Sequence, residues 1–324
     1  MESRPPVPRS RAEPLEGVQA IATEIARTFV ASDGVSIAYR RSSPSTPQGH
    51  IVLVHGLASN LTRWTELVST TRLRDSWDLL RLDLRGFGGS LSRSRVGVDE
   101  WCRDLAAIVD AEQLAPTVLV GHCLGANVIL HFAARYPDAT RGLVLIEPMF
   151  HQALTGKLRA AARLRPAATV AASLVRGLNM LGFHRRRLAT LDLEQLDREA
   201  RAAMAVGGPD AFPESRYASP IGDLSFAPTA VYLSALVALT GTLPELRRIS
   251  APVLALLSRG GRYGDPMTTV RALADHPRCD TRMLDARHWI PTECPLEMRV
   301  AIEEWCDRLP ACAPAHRGAS PSTH

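Results

Sequence analysis

Lysine is almost missing from this chain. Lys157 is the only one in 324 residues, and arginine supplies the rest of the 38 basic side chains. The net charge of +5 is therefore an arginine excess in an Arg- and Ala-heavy sequence, which points to coding bias more than to a polyanionic partner. Neither zinc-finger spacing nor an aromatic RNA-binding motif accompanies the charge, so no nucleic-acid partner is expected. Long apolar runs are also missing. The best stretch, Thr229 to Leu239, falls short of the roughly 18 residues a membrane helix needs, and no membrane partner is expected. The cysteines stand at 102, 123, 279, 294, 306 and 312 with no C-x-x-C pair, and a chain this long needs no disulfide staples. Residues 1–27 hold arginines and prolines but no apolar signal core. The resulting expectation is a reduced, cytoplasmic protein.

What is present is ordinary globular material: 46% hydrophobic and 22% charged residues, enough for a sizeable core. Residues 1–27 and 311–324 are Pro- and Ser- or Ala-rich with no apolar period and read as disordered ends. Between them, strand and helix patterns alternate. Thr28–Arg40, with Asp33-Gly34 in its middle, predicts a hairpin. Ile51–Val54, Trp77–Leu84, Pro116–Val120, Gly142–Ile146, Pro252–Leu257 and Thr281–Leu284 predict strands. Helices are predicted over Asp99–Glu112 and Leu124–Tyr136, and from about Pro266 and Pro295. Such alternation predicts a mostly parallel, doubly wound α/β sheet with helices on both faces. The stretch from Phe150 to Ser250 breaks it: Ala/Leu/Arg-rich, helical in pattern and far longer than the about 4–6 residues of an ordinary connection. Residues 28–150 and 246–310 thus form an α/β core, and 151–245 a helical insertion after a strand's carboxyl end, where such sheets bind ligands. A lid is the expected role.

The centre of the sequence is Val118-Leu119-Val120-Gly121-His122-Cys123-Leu124-Gly125-Ala126. A strand enters a turn tight enough to need glycine on either side of its middle residue, and a helix leaves it. Cys123 then stands at a helix amino terminus, whose partial positive charge favours the thiolate, the nucleophilic form of the side chain. Two other strands end in His55-Gly56 and in Asp83-Leu84-Arg85-Gly86-Phe87-Gly88-Gly89-Ser90, and Arg287-His288-Trp289-Ile290-Pro291 follows the last strand.

With these four motifs in this order, the chain resembles the α/β-hydrolase fold superfamily over residues ~28–150 and ~245–309. It resembles members with cysteine in the nucleophile elbow, the cysteine-dependent acyl hydrolases and acyltransferases, because Cys123 stands where the superfamily usually has serine. The resemblance implies covalent catalysis on an ester or thioester, with Cys123 as nucleophile and His288 as base. The oxyanion hole would be formed by the backbone N–H groups of Leu57 and Leu124. The acid is the second departure. Counting back from His288 by the family's usual interval lands on Gly260-Gly261, with no carboxylate there. Glu147, directly after the strand Gly142–Ile146, is the first candidate, as in family members whose acid follows the next strand. Asp265 is the second, provided its glycine-rich loop folds back. His55 and His122 are expected to brace the turns, and Asp83, Arg85 and Ser90 to shape the loop after their strand. Trp64 and Trp289 are weaker candidates for lining the acyl site. Cys294 is expected to be an apolar filler.

No metal site and no tightly bound cofactor are implied; an acyl-phosphopantetheine or coenzyme A thioester enters as substrate. The segment from His151 to Thr190 carries Lys157, Arg159, Arg163, Arg165, Arg176 and Arg185–Arg187 with no acidic residue. That charge makes an acidic acyl carrier protein an expected partner beside a small acyl substrate. Two further readings stay open: transfer between carrier proteins or from coenzyme A, and a non-catalytic ligand-binding protein on the same fold.

Overall fold

The computed structural model describes residues 24–310. The expected ends beyond them, 1–23 and 311–324, lie outside the described residues. Eight strands make one sheet: β1 (Ile25–Val30), β2 (Ser36–Ser42), β3 (His50–Val54), β4 (Asp78–Leu82), β5 (Thr117–His122), β6 (Thr140–Ile146), β7 (Val253–Ser258) and β8 (Cys279–Leu284). Their spatial order is β1-β2-β4-β3-β5-β6-β7-β8. The pairs β1–β2 and β2–β4 are antiparallel and every later pair is parallel. This is the mostly parallel, doubly wound α/β architecture expected from the alternation.

The hairpin starts earlier than the sequence predicts. Ile25 pairs with Arg41, so Ile25–Arg27 belong to the sheet and not to a disordered end. The reason they were not legible is exposure: β1 is an edge strand with almost no buried side chain, hence no apolar alternation.

The central strands carry long apolar runs because both faces are covered, with Arg81 the interruption in β4. In β3, Val52 and Val54 point into one hydrophobic cluster while Ile51 and Leu53 point into the other. The first cluster is closed by α2 (Val98–Ala111) and α3 (Leu124–Arg135). The second is closed by α12 (Pro295–Asp307) and by the turn Leu61–Trp64 that leads into the short helix α1 (Thr65–Thr70).

Between β6 and β7 every regular element is helical: α4 (Gly156–Arg163), α5 (Arg165–Met180), α6 (Leu193–Gly207), α7 (Glu214–Tyr217), α8 (Pro220–Phe226) and α9 (Thr229–Leu239), with short 3-10 turns between. Two further helices, α10 (Pro266–Leu273) and α11 (Ile290–Glu293), lie in the carboxyl-terminal part of the core. No helix among the described residues is long and apolar enough to cross a membrane.

Candidate active site

Cys123 sits between β5 and α3 with φ 53° and ψ −113°, a left-handed conformation that non-glycine residues seldom take. Close packing of the turn holds it there. A Cβ on Gly121 would come within 2.6 Å of the Ala126 nitrogen, and one on Gly125 would run into the carbonyl oxygens of Val54 and His55. The two glycines are therefore required by backbone approach. The Cys123 N–H is tied to the Ile146 carbonyl at 2.8 Å, which aims the side chain away from the sheet and into a cavity of about 230 Å³.

Glu147 follows β6 with φ 52°, a second strained residue one strand along. Its N–H donates to the Leu256 carbonyl at 3.0 Å, and its carboxylate is buried with both oxygens engaged. Oε1 accepts the Ser258 N–H at 2.5 Å, and Oε2 faces His288 Nδ1 at 3.0 Å. His288 Nε2 is then the ring nitrogen left for Cys123, with whose thiol the imidazole interacts. Burial alone would lower the His288 pKa. The hydrogen bonds and charges of Cys123 and Glu147 outweigh it, so the value is pushed up to about 10. Asp265, the second candidate acid, does not take this place. Its carboxylate accepts the Thr268 N–H at 2.6 Å and caps α10, and its hydrogen bonds to Thr268, with the nearby Arg271 charge, hold it below the usual carboxylate range.

The glycine pair leaves no carboxylate at the end of β7, and the carboxylate that faces His288 comes from the neighbouring strand. A Cβ on Gly260 would lie 2.9 Å from both the Ala286 oxygen and the Arg287 Cα. This loop packs flat against the segment carrying His288, with bonds from the Gly260 N–H to Ala286 and from the Arg262 N–H to Arg287. Two residues of the site are missed by sequence reasoning. Ser258 anchors Glu147 through its N–H, and its hydroxyl donates to the Arg287 carbonyl at 2.9 Å. Glu293 accepts the N–H groups of Arg287, His288 and Trp289, the last at 2.8 Å, and so fixes the histidine loop. A backbone donor leaves no trace in a sequence, but a glutamate five residues after a candidate histidine is a signal that could have been followed.

The Leu124 N–H is in the first turn of α3, where no intrahelical acceptor exists, and the Leu57 N–H has no partner among the described residues. Gly56 brings the second turn against the first, since a Cβ there would sit 3.3 Å from the Cys123 Cβ. The turn that carries Leu57 thus lies directly against the turn that carries Cys123 and Leu124. His55 and His122 brace the turns as expected. His55 Nδ1 faces the Gly56 carbonyl at 2.8 Å and its Nε2 accepts the Leu84 N–H at 3.0 Å. His122 Nε2 donates to the His288 carbonyl at 3.2 Å, and burial followed by repulsion from His288 keeps that ring neutral. Asp83 accepts the Leu61 and Gly89 N–H groups, Ser90 accepts the Ala38 N–H, and Arg85 pairs with Asp33 and Asp104, all within the loop scaffold.

The two tryptophans separate. Trp289 lines the cavity, stacked on Phe212 with centroids 4.9 Å apart. Trp64 does not: it is fully buried in the second cluster beneath the sheet, a correction forced by the turn that points it inward. Cys294 also lies in that cluster, its thiol pushed up to about 12 by burial. The cavity itself runs between the sheet's carboxyl edge and the insertion, whose Leu158, Leu196, Asp223 and Tyr232 form part of its wall.

A family model described as the alpha/beta hydrolase fold matches residues 49–293. A 2-hydroxy-6-oxo-2,4-heptadienoate hydrolase of Pseudomonas putida is 35% identical over 102 residues, which is 30% of this chain and 36% of that protein. Lipase LipV of Mycobacterium tuberculosis is 30% identical over 114 residues, 35% of this chain and 42% of its own length. The matched regions thus span well under half of these curated relatives. Among solved structures, an E-2-(acetamidomethylene)succinate hydrolase superposes with a TM-score of 0.60 at 20% identity, covering 88% of this chain and all of that one. An enol-lactonase from Burkholderia xenovorans LB400 gives 0.62 at 16% identity, covering 87% of this chain and 100% of the other. At those identities the likeness is one of fold.

Proposed function

Because the chain belongs to the alpha/beta hydrolase fold family, we propose that it cleaves or transfers an acyl group from an ester or thioester through an acyl-cysteine intermediate on Cys123. The observation that carries this reading is the line Glu147–His288–Cys123. The carboxylate holds one ring nitrogen at 3.0 Å, the other is turned to the sulfur, and the sulfur opens on a cavity. Glu147 fixes the tautomer and offsets the imidazolium charge. The Cys123 thiolate attacks the carbonyl carbon, and the N–H groups of Leu57 and Leu124 receive the oxyanion, each donor worth about 3–4 kcal/mol in the transition state. His288 gives its proton to the leaving alkoxide or thiolate, and the acyl group remains on sulfur as a thioester. An incoming water, alcohol, amine or thiol then loses its proton to His288 and displaces Cys123. The helical insertion acts as a lid that sets how much water reaches this intermediate.

No step in this scheme uses a metal or bound organic cofactor. A second reading, acyl transfer from a pantetheine or coenzyme A thioester, is supported by the cation Lys157 on the cavity wall, since phosphate carries the opposite charge. Intact-protein mass spectrometry after brief mixing with a panel of acyl-pantetheine and acyl-ester substrates tests the proposal. Wild type gains the mass of the acyl group, Cys123→Ala does not, and the adduct's lifetime in water against added amine or alcohol separates hydrolase from transferase. Substrate consumption by Cys123→Ala at the wild-type rate overturns the mechanism. Tight binding by both proteins without turnover makes this a ligand-binding member of the fold.

A further inference from the structure

A surface helix normally turns its apolar stripe inward and its polar side chains to water; α5 keeps a second apolar stripe facing water. Its inner face packs on α9 through the buried Ala172, and Arg165 donates to the Val237 carbonyl. On its outer face Val170, Leu174 and Leu178 follow one another at the helical repeat and Leu181 continues the line past its end, all of them exposed; Leu174 is 65% exposed. Just beyond, Met180 and Phe183 stand 84% and 70% open to solvent. Cations frame this stripe: Arg159 and Arg163 before it, Arg185, Arg186 and Arg187 after it, all exposed. None of the basic residues from Lys157 to Arg187 forms an ion pair among the described residues, and no acidic residue occurs between His151 and Thr190.

We propose that the outer face of α5, together with the segment from Leu181 to Arg187, docks on an anionic lipid bilayer. Apolar side chains along one line with arginines at both ends is the layout of a helix lying in the headgroup region, where the chains enter the acyl boundary and the guanidinium groups stay with phosphate. Charge selects among occupants. A second copy of this chain would set unpaired arginines against arginines. A folded acidic protein would need hydrogen-bonding groups across its interface, roughly one per 100–200 Å², and the stripe itself, Val170, Leu174, Leu178 and Leu181 with Met180 and Phe183 beside it, has no polar side-chain atom; Thr169 and Ser173 at its flank add two hydroxyls, each bonded within the helix. A bilayer needs neither shape nor hydrogen-bond complementarity. The expectation that no membrane takes part rested on the lack of a spanning run; a surface-lying face is visible only once the fold shows which side of the helix is left open. This surface adds to the acyl-cysteine reading without depending on it.

The test is cosedimentation of the full chain with vesicles of phosphatidylcholine alone and of phosphatidylcholine mixed with phosphatidylglycerol. Wild type is expected to partition onto the mixed vesicles only, and more weakly as salt rises. Arg185–Arg187→Glu should weaken binding by at least about a hundredfold, the loss of each cation near the surface alone counting for roughly a factor of five. Leu174→Glu with Leu178→Glu should abolish it at every salt concentration. Both variants must keep the wild-type melting temperature and the wild-type rate of Cys123 alkylation by iodoacetamide, which shows the fold and the site to be intact. Wild type left in the supernatant overturns the proposal, as does binding unchanged in the leucine variant. A wild-type dimer in gel filtration that the leucine variant dissociates, or retention on an acidic protein without vesicle binding, assigns the face to another occupant.

Discussion

Glu147 and Asp265 compete for one role, and their surroundings settle which substitution should be felt. Glu147 is buried with each oxygen on a separate partner, whereas Asp265 spends its carboxylate on the amino terminus of α10. Glu147→Gln keeps the size but loses the charge that holds the His288 proton, and should lower acyl transfer by about 10²–10⁴-fold. Asp265→Ala should leave the rate within a factor of about two and lower only the melting temperature, as loss of a helix cap does. Equal losses from both would remove Glu147 from its assigned role. The pH profile carries the sign. His288 has a raised pKa, about 10, so its proton is present throughout the neutral range and is lost as pH rises through that value. Whatever stability that proton confers is complete below the ordinary histidine value of about 6.5 and disappears through the same upper range. Activity that depends on a protonated leaving group should therefore fall on an upper limb near 10 in wild type. In Glu147→Gln that limb should move to lower pH, because one of the two partners raising the pKa is gone. A limb that stays in place would mean that Glu147 does not hold the proton.

Between elements, the site depends on how three loops touch. The loop after β7 lies flat on the loop after β8 because Gly260 has no side chain, and that contact excludes the family's usual acid from its usual place. Restoring it should fail. Gly260→Asp in the Glu147→Gln background is expected to give no recovery of acyl transfer and a lower melting temperature than either parent, since overpacking costs typically about 1–3 kcal/mol. Recovery of even a tenth of wild-type activity would show that the two loops can part. The same geometry explains what could be read in advance. Strands β3, β5, β6 and β7 announce themselves because burial on both faces gives each an unbroken apolar run, and the elbow because glycines at 121 and 125 are demanded by local approach. Glu147 was legible because it ends a recognisable strand. Ser258 was not, since its part in the site is played by a backbone N–H, nor was the depth of Trp64, which depends on which way one turn faces. The helices of the insertion were legible as helices, but their seating was not, because it rests on contacts between residues more than a hundred positions apart.

At the scale of the whole molecule, that seating is a buried ionic contact. Arg63, at the head of α1, donates to both carboxylate oxygens of Asp197 on α6, at 2.8 and 2.7 Å. Thr292 of α11 and Tyr217 of α7 reach the same carboxylate at 2.9 and 2.8 Å. One cluster therefore ties the core to two helices of the insertion and to the helix that follows His288, and both Arg63 and Tyr217 lie in the cavity wall. Two charges taken out of water this way are a poor source of net stability, because desolvation offsets most of their attraction. They are a strong source of uniqueness, since an alternative seating of α6 would strand a guanidinium. Asp197→Asn leaves Arg63 buried without a counter-charge and should cost about 3–5 kcal/mol in urea unfolding. Replacing the pair together, Arg63→Met with Asp197→Leu, should recover most of that loss, because no charge is left to strand. The recovered protein should nonetheless discriminate less between acyl chains of different length, as α6 is then held by apolar contact that tolerates small shifts. If the single substitution costs under 1 kcal/mol, the cluster behaves like an exposed pair and the insertion is seated by its apolar contacts alone. If the double variant is as stable as wild type and equally selective, the charges add nothing that packing does not already supply.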